Sequence, residues 1–191
     1  MKKVAIIDYG AGNLHSVMYA LERLGVDPII TDNKSVLSSA DLVIFPGVGH
    51  AQAAMKALHA KELVDFIPTL KQPVLGICLG MQLMCRHTEE GDVDGLGIFD
   101  VDVLRFKGDF KVPHMGWNGL MEGRSILVNI ENDVYFVHSY YVPVVSETIA
   151  ITDYNGTFSA ALQKDNFYAC QFHPEKSGVS GEQILKNFLK K

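Results

Sequence analysis

Val74-Leu75-Gly76-Ile77-Cys78-Leu79-Gly80-Met81-Gln82 reads as a short apolar strand that stops at a cysteine and passes at once into helix-forming residues. A tight strand-to-helix turn needs small neighbours, and the glycines at 76 and 80 tolerate backbone angles and close approaches that other residues do not. Such a turn places the Cys78 sulfur at the top of a sheet and at a helix N-terminus. There the helix dipole and free N–H groups favour the thiolate, the reactive form of the side chain. The geometry parallels the nucleophile elbow of serine hydrolases with sulfur in place of oxygen. Taken alone, Cys78 reads equally as a buried cysteine acting as a small hydrophobe.

Outward from this turn, the first half of the chain alternates strands and helices. Residues 4–7 form a short apolar strand, and Asn13 is placed to cap the helix that follows. Leu14, Val17, Met18, Leu21 and Leu24 recur at helical spacing, and Gly25 closes that helix. Strands are predicted over 27–31 and 42–45, a helix over about 51–63, and the nucleophile strand over 74–77 after Pro73. This order predicts a parallel sheet flanked by helices, with ligand sites beyond the carboxyl ends of the strands. From about residue 92 to 161 the pattern changes to alternating or compact strands at 101–106, 134–137 and 148–152, then a turn at Asp153-Tyr154-Asn155-Gly156. These predict antiparallel strands appended to the parallel core. Ile184, Leu185, Phe188 and Leu189 make one face of a terminal helix, with Lys186, Lys190 and Lys191 favourably near its C-terminus.

Two further stretches carry chemistry. In Tyr168-Ala169-Cys170-Gln171-Phe172-His173-Pro174-Glu175, His173 and Glu175 are one residue apart, so an extended segment points both side chains the same way. The carboxylate then orients the imidazole, and with Cys78 the three make a Cys-His-Glu triad, recognised by role. Pro46-Gly47-Val48-Gly49 ends a buried-type strand in a flexible turn. Acyl chemistry at Cys78 creates an oxyanion, which the N–H groups of Val48 and Leu79 are placed to hold. Each stretch alone also reads as an ordinary loop or β-to-α turn.

Composition sets the bounds. A chain of 191 residues with 48% hydrophobic and 20% charged residues is expected to be a single globular domain over 1–191, burying about 70% of its unfolded surface. The net charge of −5 gives no basic footprint, so nucleic acid is not an expected partner. Three cysteines without framework spacing suggest a reducing compartment. Cys170 and His173 have C-x-x-H spacing but no second ligand pair, so neither metal nor cofactor is expected. The run 4–7 ends at Asp8, too short for a signal peptide, and nothing approaches the ~18 apolar residues of a membrane span. A cytoplasmic protein without a membrane partner is the expectation. Residues 9–13 lack the full G-x-G-x-x-G pattern, which weighs against nucleotide binding.

Gly76 to Gln82, Pro46 to Gly49 and His173-Pro174-Glu175-Lys176-Ser177 resemble the signatures of class I (triad) glutamine amidotransferases. Asp8-Tyr9-Gly10-Ala11-Gly12-Asn13-Leu14, Val112-Pro113-His114-Met115-Gly116-Trp117-Asn118 and Phe136-Val137-His138-Ser139-Tyr140 narrow the resemblance to the glutaminase subunits that serve imidazole glycerol phosphate synthases. The resemblance implies a flavodoxin-like α/β sandwich with a mostly parallel sheet, helices on both faces and appended antiparallel strands. It implies hydrolysis of L-glutamine through a Cys78 thioester, with ammonia passed to a (β/α)8-barrel cyclase in a heterodimer that makes imidazole glycerol phosphate and an aminoimidazole carboxamide ribotide for histidine biosynthesis. Gly49, Gln82 and Glu90 then match substrate-holding positions, Glu90 through the α-amino group, and the backbone around Ser139 and Tyr140 matches the α-carboxylate site. Asn13, Trp117 and Lys176 match positions facing the cyclase. The alternatives are a stand-alone cysteine hydrolase, a paralogue feeding a sugar-modifying amidotransferase, and a non-catalytic flavodoxin-like module in which Cys78 is structural.

Overall fold

The computed structural model describes residues 2–10, 13–131 and 133–191; Ala11 and Gly12, in the middle of the quoted 8–14 stretch, lie outside the described residues. In chain order the first elements are β1 (Val4–Ile7), α1 (Leu14–Arg23), β2 (Ile29–Thr31), α2 (Lys34–Ser39), β3 (Leu42–Gly47) and α3 (Ala51–Ala60). Then come β4 (Val74–Cys78), α4 (Leu79–Leu83), β5 (Cys85–Thr88), β6 (Val93–Asp94), β7 (Phe99–Arg105) and β8 (His114–Asn118). The last are β9 (Val134–His138), β10 (Tyr140–Tyr141), β11 (Thr148–Asp153), β12 (Thr157–Lys164), β13 (Phe167–Cys170) and α5 (Gly178–Phe188).

Seven strands form the main sheet in the order β11-β12-β13-β4-β3-β1-β2. The five from β13 to β2 run parallel, and β11 and β12 extend the sheet antiparallel. A parallel sheet needs cover on both faces, which is why β1, β3, β4 and β13 are unbroken apolar runs with every residue buried. On one face α1 and α5 bury Val17, Leu21, Ile184, Leu185 and Phe188; on the other, α2 and α3 bury Leu37, Ala54, Met55 and Leu58. Each such leucine or phenylalanine contributes about 1.5–3 kcal/mol relative to an exposed one. The parallel sheet flanked by helices is the one the alternation predicts, and with helices on both faces it makes the flavodoxin-like sandwich that the resemblance implies.

The local differences have physical causes. Asn13 precedes α1, but at φ −90° and ψ 56° its side chain makes no cap bond; its Oδ1 accepts from Ser16 Oγ at 2.6 Å instead. The helix predicted to residue 63 ends at Ala60, because Glu62 turns left-handed at φ 53°. The helix α2 was not expected; the Asn33 carboxamide caps it by accepting from Ser35 N and Val36 N. Of the appended strands, β11 and β12 join the main sheet, while the others lie in two further sheets, β10-β7-β5-β6 and β8-β9. Here β5 and β7 pair parallel, against the antiparallel expectation. The cause is that β6 folds back along β5, returning the chain to the start of β5 before β7 begins. No described helix is long and apolar enough to cross a membrane.

The whole arrangement closes where β4 meets α4. Gly80 lies so near β3 that a methyl group on it would overlap the Phe45 carbonyl oxygen. That oxygen belongs to a central strand and cannot retreat without shifting β3. Gly80→Ala is therefore expected to lower the unfolding free energy by about 2 kcal/mol or more, read as a lower urea midpoint. An unchanged midpoint would contradict this packing.

Candidate active site

Cys78 ends β4 and begins α4 with φ 54° and ψ −108°, a backbone conformation that L side chains rarely adopt. Holding a non-glycine residue there costs of order 1–3 kcal/mol, and such strain persists only where the surroundings enforce it. Enforcement comes from both neighbours of the turn: Gly76 lies against Met84 and the Gly80 carbonyl, and Gly80 against β3. The sulfur, 7% exposed as a residue, faces a cavity at the carboxyl end of the sheet. Val137 O lies 3.9 Å from Sγ, and Gln171 Nε2 lies 3.8 Å from it.

β13 is the parallel neighbour of β4, with Cys170 level with Ile77, so the chain leaving β13 brings His173 to the same edge as Cys78. His173 Nδ1 and Glu175 Oε1 are 2.7 Å apart, and both side chains are almost wholly buried. The contact was expected, but not by this route. Only His173 is extended; Pro174–Lys176 is a turn of 3₁₀ helix that swings Glu175 back onto the ring. Backbone bonds fix the turn: His173 N donates to Tyr135 O at 2.9 Å, and Ser177 Oγ donates to His173 O at 2.6 Å. Tyr135 N in turn donates to Ser177 Oγ at 2.9 Å.

Burial alone favours a neutral His173, but hydrogen bonds to Cys78 and Glu175, with their charges, outweigh it and push the pKa from 6.5 to about 10. The ring is thus held as an imidazolium between a carboxylate and the sulfur. The other carboxylate oxygen, Glu175 Oε2, is buried with no hydrogen-bond partner among the described residues. The ring is therefore the hydrogen-bond partner this carboxylate has.

The cavity has a volume of about 300 Å³ and gathers residues from distant parts of the chain: Val48, Gly49, Cys78, Leu79, Gln82, Glu90, Ser139, Tyr140 and His173. Every residue expected to hold substrate or oxyanion therefore lines it. Gly49 sits at φ 98°, a conformation that suits glycine. Leu79 is the first residue of α4, so its N–H has no partner within the helix. Glu90 Oε2 accepts from Ala51 N at the start of α3 while the side chain faces the cavity. Gln82 does not face solvent. It is buried and donates to Tyr140 O at 3.0 Å and to Gln171 Oε1 at 2.9 Å, which makes it part of the wall. The site thus offers a carboxylate, a backbone edge and a sulfur, and it suits a small zwitterion whose side chain reaches Cys78.

Asn13, Trp117 and Lys176 lie outside the cavity lining. Trp117 is 58% exposed and packs edge-on against Tyr135, whose backbone holds His173 and Ser177. Lys176 is exposed directly after Glu175, and α1, which follows Asn13, packs against the 174–176 turn. Sequence reasoning missed Gln171 and Tyr9. Gln171 is fully buried and joins Gln82 to the Cys78 sulfur. Tyr9 donates its hydroxyl to Pro46 O at 3.1 Å under the Gly47–Gly49 turn, and burial pushes its pKa up. The signal for both was a polar group inside an otherwise apolar strand context. The described residues hold no cluster of metal-ligating side chains.

Residues 5–191 match the family model described as "Glutamine amidotransferase class-I". A Bacteroides thetaiotaomicron protein named imidazole glycerol phosphate synthase subunit HisH is 61% identical, with 98% of each chain covered. The protein of the same name from Escherichia coli K12 is 50% identical, covering 97% of this chain and 98% of its own. Among solved structures, a putative GMP synthase subunit from Thermoplasma acidophilum superposes with a TM-score of 0.76 at 21% identity, covering 100% of this chain and 93% of its own. That last likeness concerns the fold alone.

Two outcomes follow from this geometry. Iodoacetamide at neutral pH should label Cys78 and leave Cys85 and Cys170 untouched, because burial pushes both of those thiols up while Cys78 opens on the cavity. Peptide mapping that found Cys85 or Cys170 modified first would contradict it. The second concerns pH. His173 is raised in the folded state, so its contribution is complete below pH 6.5 and fades as the pH rises through about 10. Between those values the unfolding free energy of His173→Gln should fall less steeply than that of the wild type; parallel slopes would refute the charged ring.

Proposed function

We propose that this chain, which belongs to the class-I glutamine amidotransferase family, is the glutaminase subunit of an imidazole glycerol phosphate synthase. It hydrolyses L-glutamine to glutamate and passes the ammonia to a (β/α)8-barrel cyclase partner, which makes imidazole glycerol phosphate and an aminoimidazole carboxamide ribotide in histidine biosynthesis. One observation carries the reading. Cys78 and His173 line the cavity, with Glu175 bonded to Nδ1 of the His173 ring, in a chain that is 61% identical over 98% of its length to a protein named as that subunit.

In this mechanism the Cys78 thiolate attacks the side-chain amide carbon of glutamine. The N–H groups of Val48 and Leu79 hold the oxyanion, where one well-placed donor contributes a factor of about 10² to 10³ in rate. His173 gives its proton to the departing nitrogen, so ammonia leaves and a γ-glutamyl thioester remains on Cys78. The now neutral ring takes a proton from water, which attacks the thioester and releases glutamate. The imidazolium and thiolate are then restored. Glu175 keeps Nδ1 protonated throughout and stabilises each imidazolium. Glu90 receives the substrate's α-amino group, Gly49 and Gln82 shape the pocket, and the backbone at Ser139 and Tyr140 receives the α-carboxylate.

Ammonia is useful only if it reaches the cyclase before it meets water and a proton. Asn13, Trp117 and Lys176 are assigned to the docking face that secures this transfer. An exposed tryptophan backed by Tyr135, close to the His173 backbone, has the character of an interface anchor. The Gly47–Gly49 turn lets the Val48 N–H swing in or out of the oxyanion position, so the partner has a donor to switch.

The test is glutaminase kinetics of the purified chain, first alone and then with the cyclase and its nucleotide ligand. The complex should raise kcat by about 10² to 10³, the worth of one oxyanion donor, with little change in KM. Cys78→Ser should remove more than about 99% of the activity in the complex while leaving partner binding intact. High glutaminase activity from the lone chain, or an active serine variant, would sink the assignment.

A further inference from the structure

Two buried histidines take no part in the chemistry above: His138, which lines the cavity, and His114 behind it. His138 Nδ1 is 2.7 Å from Tyr140 O, and His138 Nε2 is 3.0 Å from His114 Nδ1. His114 Nε2 is 3.5 Å from Asn118 Nδ2. The Asn118 amide has a fixed sense, since its Nδ2 also donates to Asp153 O at 2.8 Å and its Oδ1 accepts from Gly119 N at 2.9 Å.

These contacts allow one proton arrangement. A carbonyl only accepts, so His138 must carry its proton on Nδ1 and leave Nε2 as a lone pair. That lone pair requires the proton of His114 on Nδ1, which leaves His114 Nε2 to accept from Asn118. Both rings are neutral: burial lowers His114 to about 4 and His138 to about 3, in the latter case with help from the nearby His114 and His173. His114 is further fixed between Phe136 and Tyr154, with ring centroids at 4.8 and 4.0 Å.

The chain of bonds ends on the substrate edge. Phe106 N donates to Ser139 O at 3.1 Å, and Tyr140 lies level with Arg105. In antiparallel pairing this makes Tyr140 and Arg105 a non-hydrogen-bonded pair, so both the N–H and the C=O of Tyr140 point away from β7. The carbonyl is held by His138 and Gln82, and the N–H on the same edge is left facing the cavity side.

We propose that His138 and His114 are positioning residues for glutamine, a directed hydrogen-bond pair that clamps the Tyr140 carbonyl and so aims the adjoining backbone N–H at the substrate's α-carboxylate. The proposal rests on the glutaminase reading. His138 lines the cavity, but its two nitrogens are engaged with His114 and the Tyr140 carbonyl and not with Cys78 or His173, so the effect belongs in KM and not in kcat. The same strand β8 that carries His114 and Asn118 inward shows Met115 and Trp117 outward, so the clamp and the exposed face share one strand.

The test is glutaminase kinetics in the complex with the cyclase, using two variants of nearly equal size. His138→Asn keeps a donor where Nδ1 stood and loses the acceptor for His114; His138→Gln does the reverse. We expect His138→Gln to raise the KM for glutamine about tenfold, the value of one hydrogen bond, with kcat within about threefold, and His138→Asn to restore KM to near the wild-type value. Long-range ¹H–¹⁵N spectra of the wild-type complex should show both rings neutral and protonated on Nδ1. Unchanged KM in His138→Gln beside an active wild type, or an Nε2-protonated ring at either position, overturns this proposal alone. A wild-type complex that does not hydrolyse glutamine overturns both the proposal and the reading beneath it.

Discussion

The structure depends on a cysteine held in a backbone conformation that cysteine does not choose. At φ 54°, Cys78 is strained by of order 1–3 kcal/mol, and the packing on either side must exceed that. The glycines at 76 and 80 let α4 lie directly on β3 and β4, and no larger residue fits at 80. Because β4 is central, flanked by β3 and β13, the strain is opposed by the most rigid part of the sheet. The sulfur is thereby fixed at a helix start, at the open end of the strands, without a flexible loop to carry it.

The second partner follows from the first through sheet order. β13 lies beside β4, so His173 needs only the short run after Cys170 to arrive next to the sulfur. The 3₁₀ turn then brings Glu175 onto the far side of the ring. A buried imidazolium is costly by itself, and here its partners reverse the sign of the shift. Charge, burial and strand order are thus one arrangement. A carboxylate with one buried oxygen that has no partner among the described residues is tolerable because its other oxygen holds a charged ring at 2.7 Å.

The features legible in the sequence were those set by local rules. Apolar runs without alternation gave the parallel strands, and Gly-x-Cys-x-Gly gave the turn at Cys78. The triad and the cavity residues were reached through motifs, each of which was ambiguous alone. What stayed hidden was set by long-range contact. Asn13 has the residue type of a cap but the wrong backbone angles for one. His173 and Glu175 meet through a turn and not through strand alternation. The parallel β5–β7 pair depends on β6 folding back first, which no local pattern encodes. Gln171 and His138 are polar residues beside apolar neighbours, and only the fold reveals that Gln171 joins Gln82 to the Cys78 sulfur and that both nitrogens of His138 are engaged at the cavity.

The central claim is that glutamine is cleaved through a covalent bond to Cys78. It is tested most directly by acid-quenching the complex during turnover of isotopically labelled glutamine and mapping peptides by mass spectrometry. The geometry at Cys78 and His173 predicts a labelled γ-glutamyl thioester on the peptide containing Cys78, and on neither Cys85 nor Cys170. Steady release of labelled glutamate with Cys78 unmodified at every quench time, and undiminished after Cys78 is alkylated, would contradict it.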